Sequence, residues 1–241
     1  MSDAGKGDSP RRVDVEKYNS NFDNIFRKPV DSGLSIIITL LNRSEFSFEG
    51  EQYTPLANNL DSIFRYMVDI PFEINIIDYG STDTNFKFLE KYHPKVNLVK
   101  IKGRKWNLGE ARNIGFENSY YDNLFFLDAD MLIGESAFFD KCLERLGEAK
   151  AVFPICYNIL FEKEISKKPR QTAYGNSFVT KGMFESVKGF EDNKKWGGED
   201  KKFFLKLRNK YQATRPVFKS FLHQWHPLEF CSQNYESHPK N

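Results

Sequence analysis

Leu124-Phe125-Phe126-Leu127-Asp128-Ala129-Asp130 decides how this chain of 241 residues is read. The unbroken apolar run suits a strand buried on both faces, the texture of a parallel sheet. Asp128 and Asp130 then leave that strand at i and i+2, so an extended chain points both carboxylates the same way. Working outward, Leu34-Ser35-Ile36-Ile37-Ile38-Thr39-Leu40-Leu41 is a second buried, β-branched run, and Phe72–Ile77 and Val96–Ile101 are two more strand candidates. Between them, Leu56, Leu60, Ile63, Phe64 and Met67 recur at helical spacing over Pro55–Val68. Helices are also expected over 84–92, Gly109–Asn118 and 199–211, and a strand near Ala151–Leu160. Strands alternating with helices at this spacing predict an α/β fold with a mostly parallel central sheet and helices on both faces. Residues 1–32 form a polar N-terminal extension with one short helix near Val13–Phe26, residues 33–226 the domain, and residues 227–241 a tail.

Composition narrows the function classes. The 23 Phe and 11 Tyr supply enough bulky apolar surface for one full core and argue against disorder. Lys plus Arg number 35 against 33 Asp plus Glu, a net charge of +2, which excludes a generally basic nucleic-acid coat. No apolar run reaches the roughly 20 residues of a membrane-spanning helix, so any membrane contact would be peripheral. The opening MSDAGKGDSPRR lacks a secretory signal, and Cys142, Cys156 and Cys231 lack metal-site spacing, which suits a cytoplasmic protein. Residues 161–220 carry 15 Lys plus Arg against 7 Asp plus Glu, which suits either an anionic acceptor or a solvated basic face.

Strands of such a sheet end at its ligand edge, and three of them end in polar clusters: Asn42-Arg43, Asp78-Tyr79-Gly80-Ser81 and Asp128-Ala129-Asp130. The last can hold a hard divalent cation with substrate phosphates, or simply cap a strand. Trp196-Gly197-Gly198-Glu199-Asp200 opens a helix whose apolar face is Phe203, Phe204, Leu207 and Tyr211. Its acids either suit the helix dipole or supply a proton acceptor. His223 and His226, three apart, would share one side of a helical turn and can complete a metal site begun by carboxylates, or hydrogen-bond to backbone instead. Arg112, in Gly109-Glu110-Ala111-Arg112-Asn113-Ile114-Gly115, either meets a phosphate or is a solvated helix arginine. No G-x-G-x-x-G follows a strand, which counts against a nicotinamide enzyme.

Taken in order, Ser35–Ile38 with Asn42-Arg43, Ile76–Asp83, Gly109–Gly115, Phe126–Asp130, Gly189-Phe190 and Trp196–Asp200 resemble a family-2-type glycosyltransferase of the GT-A, Rossmann-like nucleotide-sugar-binding fold. The late part resembles the galactosyl- and N-acetylgalactosaminyl-transferring branches, bacterial chondroitin polymerase domains among them. The resemblance implies a UDP-sugar donor, Mn²⁺ or Mg²⁺, and a glycan or lipid-linked sugar as acceptor. It places Thr39, Leu41, Arg43, Asp78 and Arg112 against the nucleotide, with Ala129, Trp196 and Gly198 also in the nucleotide-sugar site. It makes Asp130 a metal ligand with His223 or His226, and puts Asp128 on the ribose or a metal-bound water. Asp200 would be the base of an inverting displacement, with Glu199 positioning the acceptor. A retaining relative, and a non-catalytic nucleotide-sugar-binding subunit, are the alternatives.

Overall fold

The computed structural model describes residues 33–67, 69–82, 86–191, 198–227 and 230. The expected helix near Val13–Phe26, together with Trp196 and Gly197, lies outside them. The core is a five-stranded sheet in the order β5-β4-β1-β6-β9, built from β1 (Leu34–Leu40), β4 (Phe72–Asp78), β5 (Val96–Lys100), β6 (Asn123–Asp128) and β9 (Ser177–Thr180). The pairs β1–β4, β1–β6 and β4–β5 are parallel, and β9 closes the edge antiparallel to β6. Every residue of β1 is buried, as a strand covered on both faces requires.

Register sets the ligand edge. Leu40 pairs with Asp78 and Thr39 with Asp128, so the polar ends of the three central strands come level. The loops beyond are tied by Asn42, whose Oδ1 accepts from the Thr82 backbone N–H at 2.8 Å while its own N–H donates to Ser81 Oγ at 2.9 Å.

Helix α1 (Pro55–Tyr66) buries Leu56, Leu60 and Ile63, the spacing anticipated. Helix α2 (Leu108–Glu117) begins at Asn107, whose Oδ1 accepts from the Glu110 N–H, and packs on β1 and β4. Gly115 permits this approach, since a Cβ there would stand 2.2 Å from Ile37 Cγ2. The helix expected over 84–92 is a 3₁₀ helix at Phe86–Tyr92. Tightening to i→i+3 is usual for so short a segment.

A second sheet, in the order β7-β10-β8, was only half anticipated. It joins β7 (Met131–Ile133), β8 (Ile155–Asn158) and β10 (Val217–His223), with β10 antiparallel to β7 and parallel to β8. A hairpin of β2 (Phe46–Phe48) and β3 (Glu51–Tyr53), helix α3 (Ala137–Gly147), the short helix α4 (Lys181–Ser186) and helix α5 (Glu199–Tyr211) complete the elements. Helix α5 buries Phe203, Phe204 and Leu207, and Phe203 stacks on Phe190 at 4.0 Å between ring centres. No helix among the described residues is long and apolar enough to cross a membrane.

Candidate active site

Beyond the carboxyl ends of β1 and β6 lies a cavity of about 430 Å³. Its wall takes Thr39, Leu41 and Arg43 from the end of β1, Arg112 from α2, and Asp128, Ala129 and Asp130 from β6 and the turn after it. Gly198 and Asp200 enter from the start of α5, and His223 and His226 from the end of β10. Most of the residues expected at a site therefore meet in one place.

Arg112 organises the acids. Its side chain is 2% exposed, hydrogen-bonds Asp200 through Nη1 and reaches Asp128 Oδ1 with Nη2 at 3.2 Å. Glu199 Oε1 stands 3.8 Å from the same Nη1. Burial alone would lower the guanidinium pKa, but Asp200, Asp128 and Glu199 outweigh it and push it up. Its planar group also lies over the Phe190 ring, 4.9 Å from the centre. Asn113 brackets Phe190 by accepting from its N–H and donating to its carbonyl, both at 3.0 Å. The Arg112-Asn113 and Gly189-Phe190 motifs are thus one unit that aims a cation at three carboxylates. A solvated arginine is excluded, and the expected nucleotide contact must share Arg112 with these acids.

Asp200 is strongly perturbed. Burial pushes its pKa up, Arg112 opposes, and Glu199 and Asp128 add to the rise, which ends at about 6. Helix α5 presents it from a tight entry: Gly198 holds φ at 95°, the left-handed region that glycine adopts freely.

Asp128 is held through both backbone and carboxylate. Its N–H donates to Asn176 Oδ1 at 2.8 Å, Asn176 Nδ2 donates to Asp128 Oδ2 at 3.2 Å, and Asn59 Nδ2 donates to its carbonyl at 3.0 Å. Gly175 lies against the carboxylate, and a Cβ there would come 2.7 Å from Oδ2.

Asp130 is buried, with His223 Nε2 at 3.6 Å and His226 Nε2 at 3.5 Å from Oδ2. One ligand atom from each of the three lies within 4.8 Å of the others, a spacing that a single cation can bridge. Burial would raise the Asp130 pKa, but His223, His226 and Arg43 hold it below the usual carboxylate range. Burial lowers the His223 pKa against the pull of Asp130, which favours the neutral imidazole a metal needs. The histidines arrive by strand and turn rather than on a helical turn. His223 ends β10 opposite Met131, and the Gln224 N–H donates to the Asp130 carbonyl at 2.8 Å. Asp128 is not part of this cluster.

Two expected residues sit elsewhere. Asp78 is buried off the cavity wall and accepts from the Ser81 N–H at 2.9 Å, a turn-forming role. Glu199 is 5% exposed behind Arg112, not on the wall where an acceptor would meet it. Trp196 lies outside the described residues. Conversely, the wall includes Cys156, Arg170, Tyr174 and Asn176, which sequence reading missed. They come from β8 and from a segment without hydrophobic period, so pattern had nothing to mark.

The sequence model of Glycosyl transferase family 2 matches residues 35–205, which span every element from β1 into α5. The chain belongs to this family. It is 30% identical over 122 residues to a chondroitin synthase of Pasteurella multocida (strain Pm70), covering 49% of this chain and 12% of that protein. It is 30% identical over 101 residues to a hyaluronan synthase of Pasteurella multocida, covering 41% and 10% respectively. The chain therefore matches only about a tenth of each relative's length. Crystal structures of S. aureus TarS share the fold: TM-score 0.60 at 15% identity for one, covering 80% of this chain and 60% of that one. For TarS in complex with UDP-GlcNAc the values are 0.63 and 16%, with coverage of 85% and 62%.

Proposed function

We propose that the chain is a metal-dependent glycosyltransferase that moves a hexose or N-acetylhexosamine from a UDP-sugar to a hydroxyl of a glycan or lipid-linked sugar, with inversion. One observation carries the reading: a single cavity joins a carboxylate poised near neutral pH, Asp200, with the Asp130–His223–His226 cluster. The chondroitin and hyaluronan synthases among its relatives, and the UDP-GlcNAc held by TarS, are consistent with a UDP-sugar donor. Residues 33–226 would form the catalytic domain, flanked by 1–32 and 227–241.

Asp130, His223 and His226 would hold the cation, and two imidazoles beside one carboxylate suit Mn²⁺ better than the oxygen-seeking Mg²⁺. Bound there, the cation would supply positive charge against the diphosphate leaving group. Asp200 accepts the proton of the acceptor hydroxyl as that oxygen attacks the anomeric carbon and the diphosphate departs from the opposite face. A pKa near 6 leaves Asp200 ionised at pH 7 and still basic enough to take a proton. Arg112 fixes the carboxylate's position, and Asn176 with Gly175 holds the Asp128 carboxylate, which would face the nucleotide.

The test is UDP release from a panel of UDP-sugars, with acceptor glycans present, by the native chain and Asp200→Asn. Mn²⁺-dependent release from one donor, lost in a variant that still binds UDP, is the expected result. Near-normal transfer by Asp200→Asn would remove it from the base role. UDP binding without turnover of any donor would instead make the chain a nucleotide-sugar-binding subunit.

A further inference from the structure

Arg170 lines the same cavity as Asp130 and His223, yet no motif contains it. Among the described residues its guanidinium has no hydrogen-bond or ion-pair partner, whereas Arg112 is engaged by three carboxylates. Its neighbours Lys167 and Lys168 are exposed but stand off the cavity wall, so Arg170 is not simply one more member of a solvated basic stripe.

The backbone that presents Arg170 is anchored at several points. Its N–H donates to the Cys156 carbonyl in β8 at 2.8 Å, and its carbonyl accepts from the Ala173 N–H at 3.3 Å. Arg215, reaching over from just before β10, donates Nη2 to the carbonyls of Gln171 at 2.8 Å and Ala173 at 2.9 Å. The Arg215 guanidinium also lies over the Tyr174 ring, 4.1 Å from its centre. A turn held this way keeps an unengaged guanidinium at the cavity mouth.

Charge balance says what that guanidinium is for. Around the cavity Asp128, Asp130, Asp200 and Glu199 stand against Arg43, Arg112 and Arg170, four carboxylates to three guanidiniums. With Arg112 already held by the acids, a diphosphate bearing two negative charges would draw on the cation of the Asp130–His223–His226 cluster and on a guanidinium not yet engaged. A planar guanidinium meets phosphate oxygens with two parallel N–H donors.

We propose that Arg170 is a diphosphate-binding residue, meeting the phosphates of the nucleotide sugar from the side of the 170–176 segment, with Arg215 as the residue that positions that segment. The inference rests on the nucleotide-sugar reading of the cavity.

Calorimetric titration with uridine and with UDP, in buffers with and without Mn²⁺, separates phosphate recognition from nucleoside recognition. Arg170→Ala should weaken UDP about 10-fold, the scale of one charge-assisted hydrogen-bonded contact, and leave uridine unchanged. Arg170→Lys should recover part of the loss. The side chain is exposed and unbonded, so the melting temperature of Arg170→Ala should stay at the native value. Arg215→Ala should weaken UDP as well, and Arg170→Ala added to it should cost little more. Equal UDP affinity in native protein and Arg170→Ala would overturn the proposal, as would an equal loss for uridine. Failure of the native chain to bind UDP at all would overturn the nucleotide-sugar reading beneath it.

Discussion

Removing Arg112 should cost the fold more than any other single change at the site, in a way that depends on pH. The side chain is 2% exposed and faces Asp200, Asp128 and Glu199. Arg112→Met keeps the packing on Phe190 but strands three carboxylates. Breaking a buried charge pair from one side typically costs about 3–5 kcal/mol. Asp128 and Asp200 keep 36% and 27% of their side chains exposed, so water relieves them, whereas Glu199 at 5% has no such relief. The lower end of the range is therefore expected, about 3 kcal/mol, or a fall in melting temperature of roughly 6–12 °C for a chain of this size. The sign of the pH effect follows from Asp200. Its pKa in the folded protein, near 6, already lies above its unfolded value, and loss of Arg112 removes the one influence that lowers it. The variant therefore takes up a proton at higher pH than the native protein, and its deficit should shrink as pH falls from 8 toward 6 and stay small below that. Melting followed by differential scanning calorimetry at pH 8 and pH 5 measures this, and Arg112→Met/Glu199→Gln should recover part of the loss at pH 8. A deficit under 2 °C, or one equal at both pH values, would refute the reasoning.

Three further outcomes are expected. With Asp200 as base, kcat/KM should fall about tenfold per unit as pH drops below its pKa near 6, and a pH–rate profile flat to pH 5 would exclude it. Gly175→Ala should leave the fold intact but displace the Asp128 carboxylate, since the new Cβ would meet Oδ2 at 2.7 Å and Arg112 Nη2 at 3.1 Å. UDP affinity should drop about 10-fold or more in titration, with little change in melting temperature. Gly115→Ala acts the other way: overpacking against Ile37 should cost about 1–3 kcal/mol in chemical denaturation while specific activity of the folded fraction holds.

The central sheet was legible because β1, β4 and β6 are buried on both faces and so read as continuous apolar runs ending in polar clusters. Their level ends, Thr39 beside Asp128 and Leu40 beside Asp78, followed from that pattern. The three-residue strand β7 is too short to show a period, which hid part of the second sheet, and the four-residue strand β9 at the edge of the central sheet was hidden for the same reason. That sheet delivers His223 to Asp130 from a strand end, with His226 in the segment that follows, an arrangement that the three-residue spacing alone does not distinguish from a helical turn. The nucleotide contact of Asp78 came from the family resemblance, and its carboxylate accepts from the Ser81 N–H, a turn contact that the strand pattern does not encode. Asn176 and Arg170 sit in a segment shaped by carbonyl contacts to Arg215 and Cys156, contacts no local pattern encodes.

Calorimetry of UDP binding with and without Mn²⁺, on the native chain and Asp130→Ala, tests the central claim most directly. The account predicts that Mn²⁺ tightens UDP binding to the native protein and has no effect on Asp130→Ala. UDP affinity indifferent to Mn²⁺ in the native chain, or an Asp130→Ala variant that responds to the ion as the native chain does, would contradict it.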